Sequence, residues 1–348
     1  MKTRLQYLDV CKGMGILLVV LGHIFLTNPA RVWIYSFHMP LFFFLSGYIF
    51  FYNKTTNFKE FIFKRFKVLI IPYFAFASVW YVYWLVAERK LRPESLDINP
   101  LKPLIGIFYG VGSETGLVFN IVLWFLPCLF ITEIIFYLIT KNIKNNKNIF
   151  IILFTNSIIG YLISIYLDFK FPWGINIMFT SIVFYGVGYF FHKSNLENKI
   201  TSVQERLFIV ILLFINVISA FINKSVDMNF LNLGNYFLYY ISAISGLLFL
   251  YLISKKIQHV KWLSFLGKNT LVIMCIHDPI KRVVIKIVSI FVNLPSEVIR
   301  DSTFYSIICL FIIMIISIPI IYIANRYTPF VLGKFEFIKK EKDLKVNA

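Results

Sequence analysis

Charge is what this sequence has least of. Only 15% of its 348 residues are Asp, Glu, Lys or Arg, whereas a soluble globular chain carries about 25%. A water-facing surface of ordinary polarity is excluded. Cysteine is also scarce. Cys11, Cys128, Cys275 and Cys309 all fall inside apolar stretches with no metal-ligand spacing. They read as small hydrophobes, say nothing about redox compartment, and no metal is expected. A cleavable leader is missing too: the first apolar run begins near Val10, is interrupted by Lys12 and lacks a small-residue cleavage site. That run is expected to remain as a first membrane span. Internal repeats and low-complexity stretches are absent, so one bundle is expected.

What is present is apolar and aromatic, at 59% and 19%. The excess comes in nearly charge-free blocks such as 68–87, 117–139 and 304–323, each about as long as a bilayer is thick at helical rise. Ten spans are predicted, at 8–27, 34–52, 68–87, 117–139, 149–166, 175–191, 207–222, 237–253, 263–280 and 304–323. The fold class is therefore all-α: a polytopic integral membrane helical bundle of about ten transmembrane helices over 1–330, with a short basic tail at 331–348. Two regions depart from simple hairpins. Residues 88–116 form a long connection with three prolines and a short apolar patch, suited to lying on the interface or covering a cavity. Residues 277–302 carry His277, Asp278, Lys281, Arg282 and Lys286 in an apolar pattern, suggesting a broken or water-lining helix.

The formal net charge of +18 raises the question of nucleic acid. The positions of the charges answer it. With the N-terminus inside, 24 Lys and Arg fall on the inner side and 11 on the outer. The positive-inside rule then puts both termini in the cytoplasm and accounts for the basic pI without a nucleic-acid partner. The segment 53–67, with Lys54, Lys59, Lys64, Arg65 and Lys67, is the strongest vote.

Ionisable groups at membrane depth are costly and usually face a cavity or a partner. Lys12 and His23 are eleven steps apart, about three turns, and so share one face of the first helix. His38 lies about as deep in the second span as His23 does in the first. The short connection makes those two helices antiparallel neighbours. Glu133 lies toward the inner end of the fourth span, where Lys12 is a possible partner, and His277 marks the ninth. Each has a plain structural alternative. A lone histidine can serve helix packing, Glu133 can be half of a structural bridge, and Arg65 can be one more inner-loop cation. Trp33, Trp80 and Trp262 read as interfacial anchors.

These residues resemble the acyltransferase 3 family of integral membrane enzymes that O-acylate cell-surface glycans. Leu5 to Gly13 leading to Leu21-Gly22-His23 is similar to the family's pattern of a basic residue, a ten-residue gap and a histidine. Phe37-His38-Met39-Pro40 through Ser46-Gly47-Tyr48 is similar to its most recognisable segment. Lys64-Arg65-Phe66 with Ile71-Pro72-Tyr73, Trp124-Phe125-Leu126-Pro127, Gly186-Val187-Gly188-Tyr189 and Asn269-Thr270-Leu271 through His277 also fit. The resemblance runs from about residue 4 to about 325. The family often has arginine at the Lys12 position, and lysine lacks the planar fork. No hydrolase-like domain is expected after the bundle. Within the family the motif style looks closest to fucose O-acetylases.

The resemblance implies transfer of an acetyl group from acetyl-CoA to a sugar hydroxyl of a polysaccharide or its lipid-linked precursor, in a bacterial cytoplasmic membrane. His23 is then the candidate base. His38 would orient it, assist proton transfer or carry the acyl group. Lys12 and Arg65 would bind the CoA phosphates, and Glu133, Trp124 and His277 would support the site. The rival expectation is a glycan or lipid transporter whose histidines form a proton relay. A degenerate scaffold is a third.

Overall fold

The computed structural model of the protein describes residues 5–53, 57–113, 116–195 and 201–335. Every long element among them is a helix: α1 Gln6–Ile24, α2 Pro29–Tyr35, α3 His38–Asn53, α4 Phe58–Leu91, α5 Leu101–Tyr109, α6 Ile121–Asn142, α7 Asn146–Tyr166. Then follow α8 Ile175–Ser194, α9 Ser202–Asn223, α10 Tyr236–Lys256, α11 Lys261–Lys268, α12 Thr270–Val292, α13 Ser296–Asp301 and α14 Thr303–Arg326. Nine helical stretches among the described residues are long and apolar enough to cross a membrane. The tenth long helix, α12, is excluded from that set by Asp278, Lys281, Arg282 and Lys286. The all-α polytopic bundle is as expected. Of the tail at 331–348, residues 336–348 lie outside the described residues.

Helix packing uses glycine where backbones must nearly touch. A Cβ on Gly47 would sit 1.9 Å from the Tyr185 carbonyl oxygen, and one on Gly188 would sit 2.0 Å from that of Phe44. The missing side chains thus let α3 and α8 close on each other from both sides. Gly13 and Gly267 do the same for α1 and α11, against Leu263 O and Asp9 O. α1 is the central strut, packed on α2, α3, α10, α11, α12 and α14. By contrast, α7 and α9 are mostly exposed to the surroundings, with 22% and 17% of their apolar window buried, against 72% for α6. In a membrane protein those open faces meet lipid.

Two expectations about elements need correction. The ninth span at 263–280 is two helices, α11 and α12, separated at Asn269. α12 does not break. Pro279 has no N–H to offer the Cys275 carbonyl one turn back, and that oxygen instead accepts from Trp80 Nε1 and Asn120 Nδ2, each at 2.7 Å. Trp80 is therefore tied into the bundle, and so is Trp33, whose Nε1 donates to Asn216 Oδ1 at 2.6 Å. The loop expected at 53–67 is helical from Phe58 onward and continuous with the third span. Its wide turn at Phe66–Ile70 comes just before Pro72, where a regular turn would press the ring against the Val68 carbonyl.

The connection from 88 to 116 contains a helical turn at Pro93–Leu96 and the half-exposed α5. Of its residues, 114 and 115 lie outside the described ones.

Candidate functional site

At the end of the bundle where α1 finishes, the helices separate around a cavity of about 210 Å³. α1 stops at His23–Ile24 because Thr27, Asn28 and Pro29 follow. The turn is fastened from outside: Asp301 accepts from Thr27 N at 2.9 Å and from Thr27 Oγ1 at 2.7 Å. Next to it, Arg300 Nε donates to the Ile24 carbonyl at 3.0 Å, which draws α13 over the end of α1. α2 then turns the chain back, capped by the Asn28 side chain on Ala30 N, and delivers His38 as the first residue of α3.

His23 and His38 both line the cavity. Their ring centres are 6.4 Å apart and the rings meet edge to face. Tyr35 lines the cavity with them, 4.7 Å from the His38 ring, with the Arg31 guanidinium 4.3 Å from the centre of its own ring. Trp124 forms a wall opposite. His38 Nδ1 lies 3.0 Å from the Ile34 carbonyl. A carbonyl only accepts, so Nδ1 carries the proton and Nε2 of the neutral ring is an acceptor. A third imidazole completes the cluster. His277 on α12 is fully buried, with its ring centre 5.3 Å from that of His23.

Charge surrounds the histidines. Asp278 pairs with Lys281 at 2.6 Å and with Arg282, and Arg282 Nη2 reaches Glu88 Oε2 of α4 at 3.1 Å. Asp278, Lys281, Arg300, Arg31 and Asp227 all face the cavity. Burial, and then the like-charged Arg31, push the Arg300 guanidinium down from its ordinary value. Burial pushes the Asp227 carboxyl up, opposed by the N–H groups of Phe230 and Asn229 and by Arg31 and Lys170. The rim segment Asp227–Phe230 belongs to the turn between α9 and α10, closed by the bridge of Asp227 with Asn232.

The remaining expected residues lie elsewhere. Lys12 is half-buried, three turns down α1 from His23, and does not line the cavity. Glu133 pairs with Arg65, not with Lys12: Arg65 Nη2 donates to Oε1 at 2.7 Å and Nε to Oε2. Depth alone left two cations available to Glu133, and the winding of α4 presents Arg65 to α6. Among the described residues, none of those lining the cavity comes from the connection at 88–116, whereas Asp227–Phe230 of the α9–α10 turn do line it. Arg31, Tyr35, Asp227 and Arg300 were not singled out as site residues. The two arginines were visible only as outer-side cations, and Asp227 is one of only 17 acidic residues. Among the described residues, no group of three or more His, Cys, Asp or Glu is placed to hold a metal ion.

The polytopic helical bundle thus gathers three imidazoles at and behind one polar chamber. Residues 5–326 match the family described as an acyltransferase domain, and the chain belongs to that family, acyltransferase 3. It is a membrane acyltransferase, and the transporter and scaffold readings give way to an enzyme. No curated protein and no solved structure matches the chain.

Proposed function

We propose that this acyltransferase moves an acetyl group from acetyl-CoA to a sugar hydroxyl of a cell-surface polysaccharide or its lipid-linked precursor, in a bacterial cytoplasmic membrane with both termini cytoplasmic. The observation that carries the reading is that His23 and His38 line one polar cavity with Trp124 as a wall. The excess of Lys and Arg on the N-terminal side supports the orientation, which makes the cavity end the outer one.

In this reading His23 takes the proton of the sugar hydroxyl as its oxygen bonds to the thioester carbonyl carbon. The tetrahedral adduct then expels the CoA thiolate, breaking the carbon–sulfur bond, and the thiolate recovers the proton from the imidazolium. Lys281, Arg31 and the Tyr35 hydroxyl are the cationic and donor groups near the developing oxyanion. His38 Nε2 accepts from a neighbouring sugar hydroxyl, and the Trp124 face receives the apolar side of the ring. The CoA phosphates stay at the basic inner side with Lys12 and Arg65, and the pantetheine arm spans the distance to His23. Glu133 holds Arg65 in place for that contact.

The test is radiolabelled acetyl-CoA given to membranes that carry the protein together with the host's surface glycan. Label should enter the glycan with the unmutated protein. Equal incorporation by membranes lacking the protein would refute the proposal.

A further inference from the structure

The cluster contains three histidines, and the mechanism above uses two. The third is placed differently. His277 does not line the cavity but lies behind His23, with no exposed surface. Its Nδ1 is 2.9 Å from the Met274 carbonyl and 3.1 Å from that of Ile273. Both are acceptors on its own helix, so Nδ1 must carry the proton. The neutral ring is then fixed as one tautomer, and its Nε2 presents a bare lone pair. That nitrogen is buried and has no hydrogen-bond partner among the described residues. A buried acceptor left unmade is costly, and native proteins tolerate few of them outside functional sites.

The ring it faces is His23. An N–H···N bond between two imidazoles holds the ring centres about 5.2 Å apart, from a donor–acceptor distance of about 2.9–3.0 Å and the ring radius. The observed separation is 5.3 Å. His38, at 6.4 Å, is too far for the same bond. The separation of the ring centres is therefore compatible with that bond, although in the present ring orientations His277 Nε2 makes none. Making it requires a reorientation of the rings, and the terminal side-chain torsion of a histidine has broad wells.

We infer that His277 is the positioning residue of His23: its Nε2 accepts the His23 ring proton, so that the other nitrogen of His23 faces the cavity unprotonated. This rests on His23 being the base. When His23 takes the sugar proton it becomes an imidazolium, and the His277 lone pair then holds a charge-assisted bond, stronger than the one in the neutral ring. The help is greatest when the charge has formed, which is what a catalytic contribution requires. Asp278, the next residue along α12, lines the same cavity, its charge shared with Lys281 and Arg282.

Two near-isosteric variants separate this role from a structural one. His277→Gln keeps an acceptor at the Nε2 position and loses the bond to the α12 carbonyls. His277→Asn keeps a donor at the Nδ1 position and loses the acceptor. Purified protein is assayed with acetyl-CoA and the host's glycan-bearing membrane extract, with thermal midpoints recorded beside the rates. The expected result is His277→Gln within about tenfold of the unmutated kcat and His277→Asn lower by about 100-fold, a usual size for general-base assistance. KM for acetyl-CoA should stay unchanged in both. In the double variant His23→Ala/His277→Asn, no loss beyond that of His23→Ala is expected, because the two act as a unit. The reverse order of the two variants, or additive losses, overturns the inference. Isotope-labelled histidine in the unmutated protein gives a reading independent of variant folding: a nitrogen–nitrogen correlation between His23 and His277 with CoA present supports it, and its absence overturns it. A fully active His23→Ala protein would remove the base itself, whereas an inactive one with two equally active His277 variants removes only the positioning role.

Discussion

Arg65 on α4 and Glu133 on α6 form a buried, two-pronged ion pair, with side chains 12% and 3% exposed. Because neither charge can return to water in the folded state, the two are worth more together than either is alone. Glu133→Ala leaves a guanidinium without its counter-charge and is expected to cost about 3–5 kcal/mol. Replacing both by Met is expected to recover most of that loss, since a well-packed apolar pair is often as stable as a buried ion pair. Thermal unfolding in detergent measures both. If Arg65 also grips CoA phosphate, the double variant regains its midpoint while its KM for acetyl-CoA stays raised.

His38 is expected to act on the acceptor side. Its Nε2 is the free acceptor of a ring already fixed on Ile34 O. His38→Phe keeps the ring volume and removes that acceptor. KM for the glycan should rise by up to about tenfold, the value of one neutral hydrogen bond, with KM for acetyl-CoA unchanged. Steady-state kinetics with each substrate varied in turn decides this.

The α3–α8 contact predicts a graded set of glycine substitutions. Gly47→Ala and Gly188→Ala drive a methyl into the backbone carbonyls of Tyr185 and Phe44, and each should cost about 1–3 kcal/mol or more. Gly15→Ala is expected to be milder. Its Cβ meets the end of the Leu41 side chain at 2.7 Å, and a flexible side chain can move away. The yield of monodisperse protein and its thermal midpoint should fall further for Gly47→Ala and Gly188→Ala than for Gly15→Ala.

Asp227 gives a prediction in pH. Its folded-state carboxyl is pushed up, first by burial, so the folded protein holds that proton more tightly than the unfolded chain does. Its contribution to stability is present below the ordinary carboxylate range and is lost as pH rises through the raised value. Asp227→Asn can still accept from the N–H groups of Asn229 and Phe230 and should flatten that part of the profile. Thermal midpoints of both proteins across the acidic range test the sign.

Much of this was legible in the sequence, and the parts that were not share a cause. His23 and His38 could be paired because a short turn joins their helices and fixes their relative depth. His277 could be marked as misplaced in apolar surroundings, but its arrival behind His23 is set by α12 packing on α1, which no local pattern encodes. Glu133 was matched to the wrong cation because hydropathy gives depth and not azimuth. The sequence left 277–302 as either a broken or a water-lining helix, and the partners that keep α12 continuous by satisfying Cys275 O, Trp80 and Asn120, are far away along the chain. Arg65 looked like a loop residue because the first turns of α4 are polar, although the helix is continuous through them.

The most direct measurement uses sealed vesicles holding the protein in one orientation, with radiolabelled acetyl-CoA inside and the host glycan outside. The unmutated protein should transfer label to the external glycan. His23→Ala, folded and inserted to the same level, should lose about 10²–10⁴-fold in rate, the range for a missing general base. Transfer by His23→Ala at the unmutated rate would contradict the account.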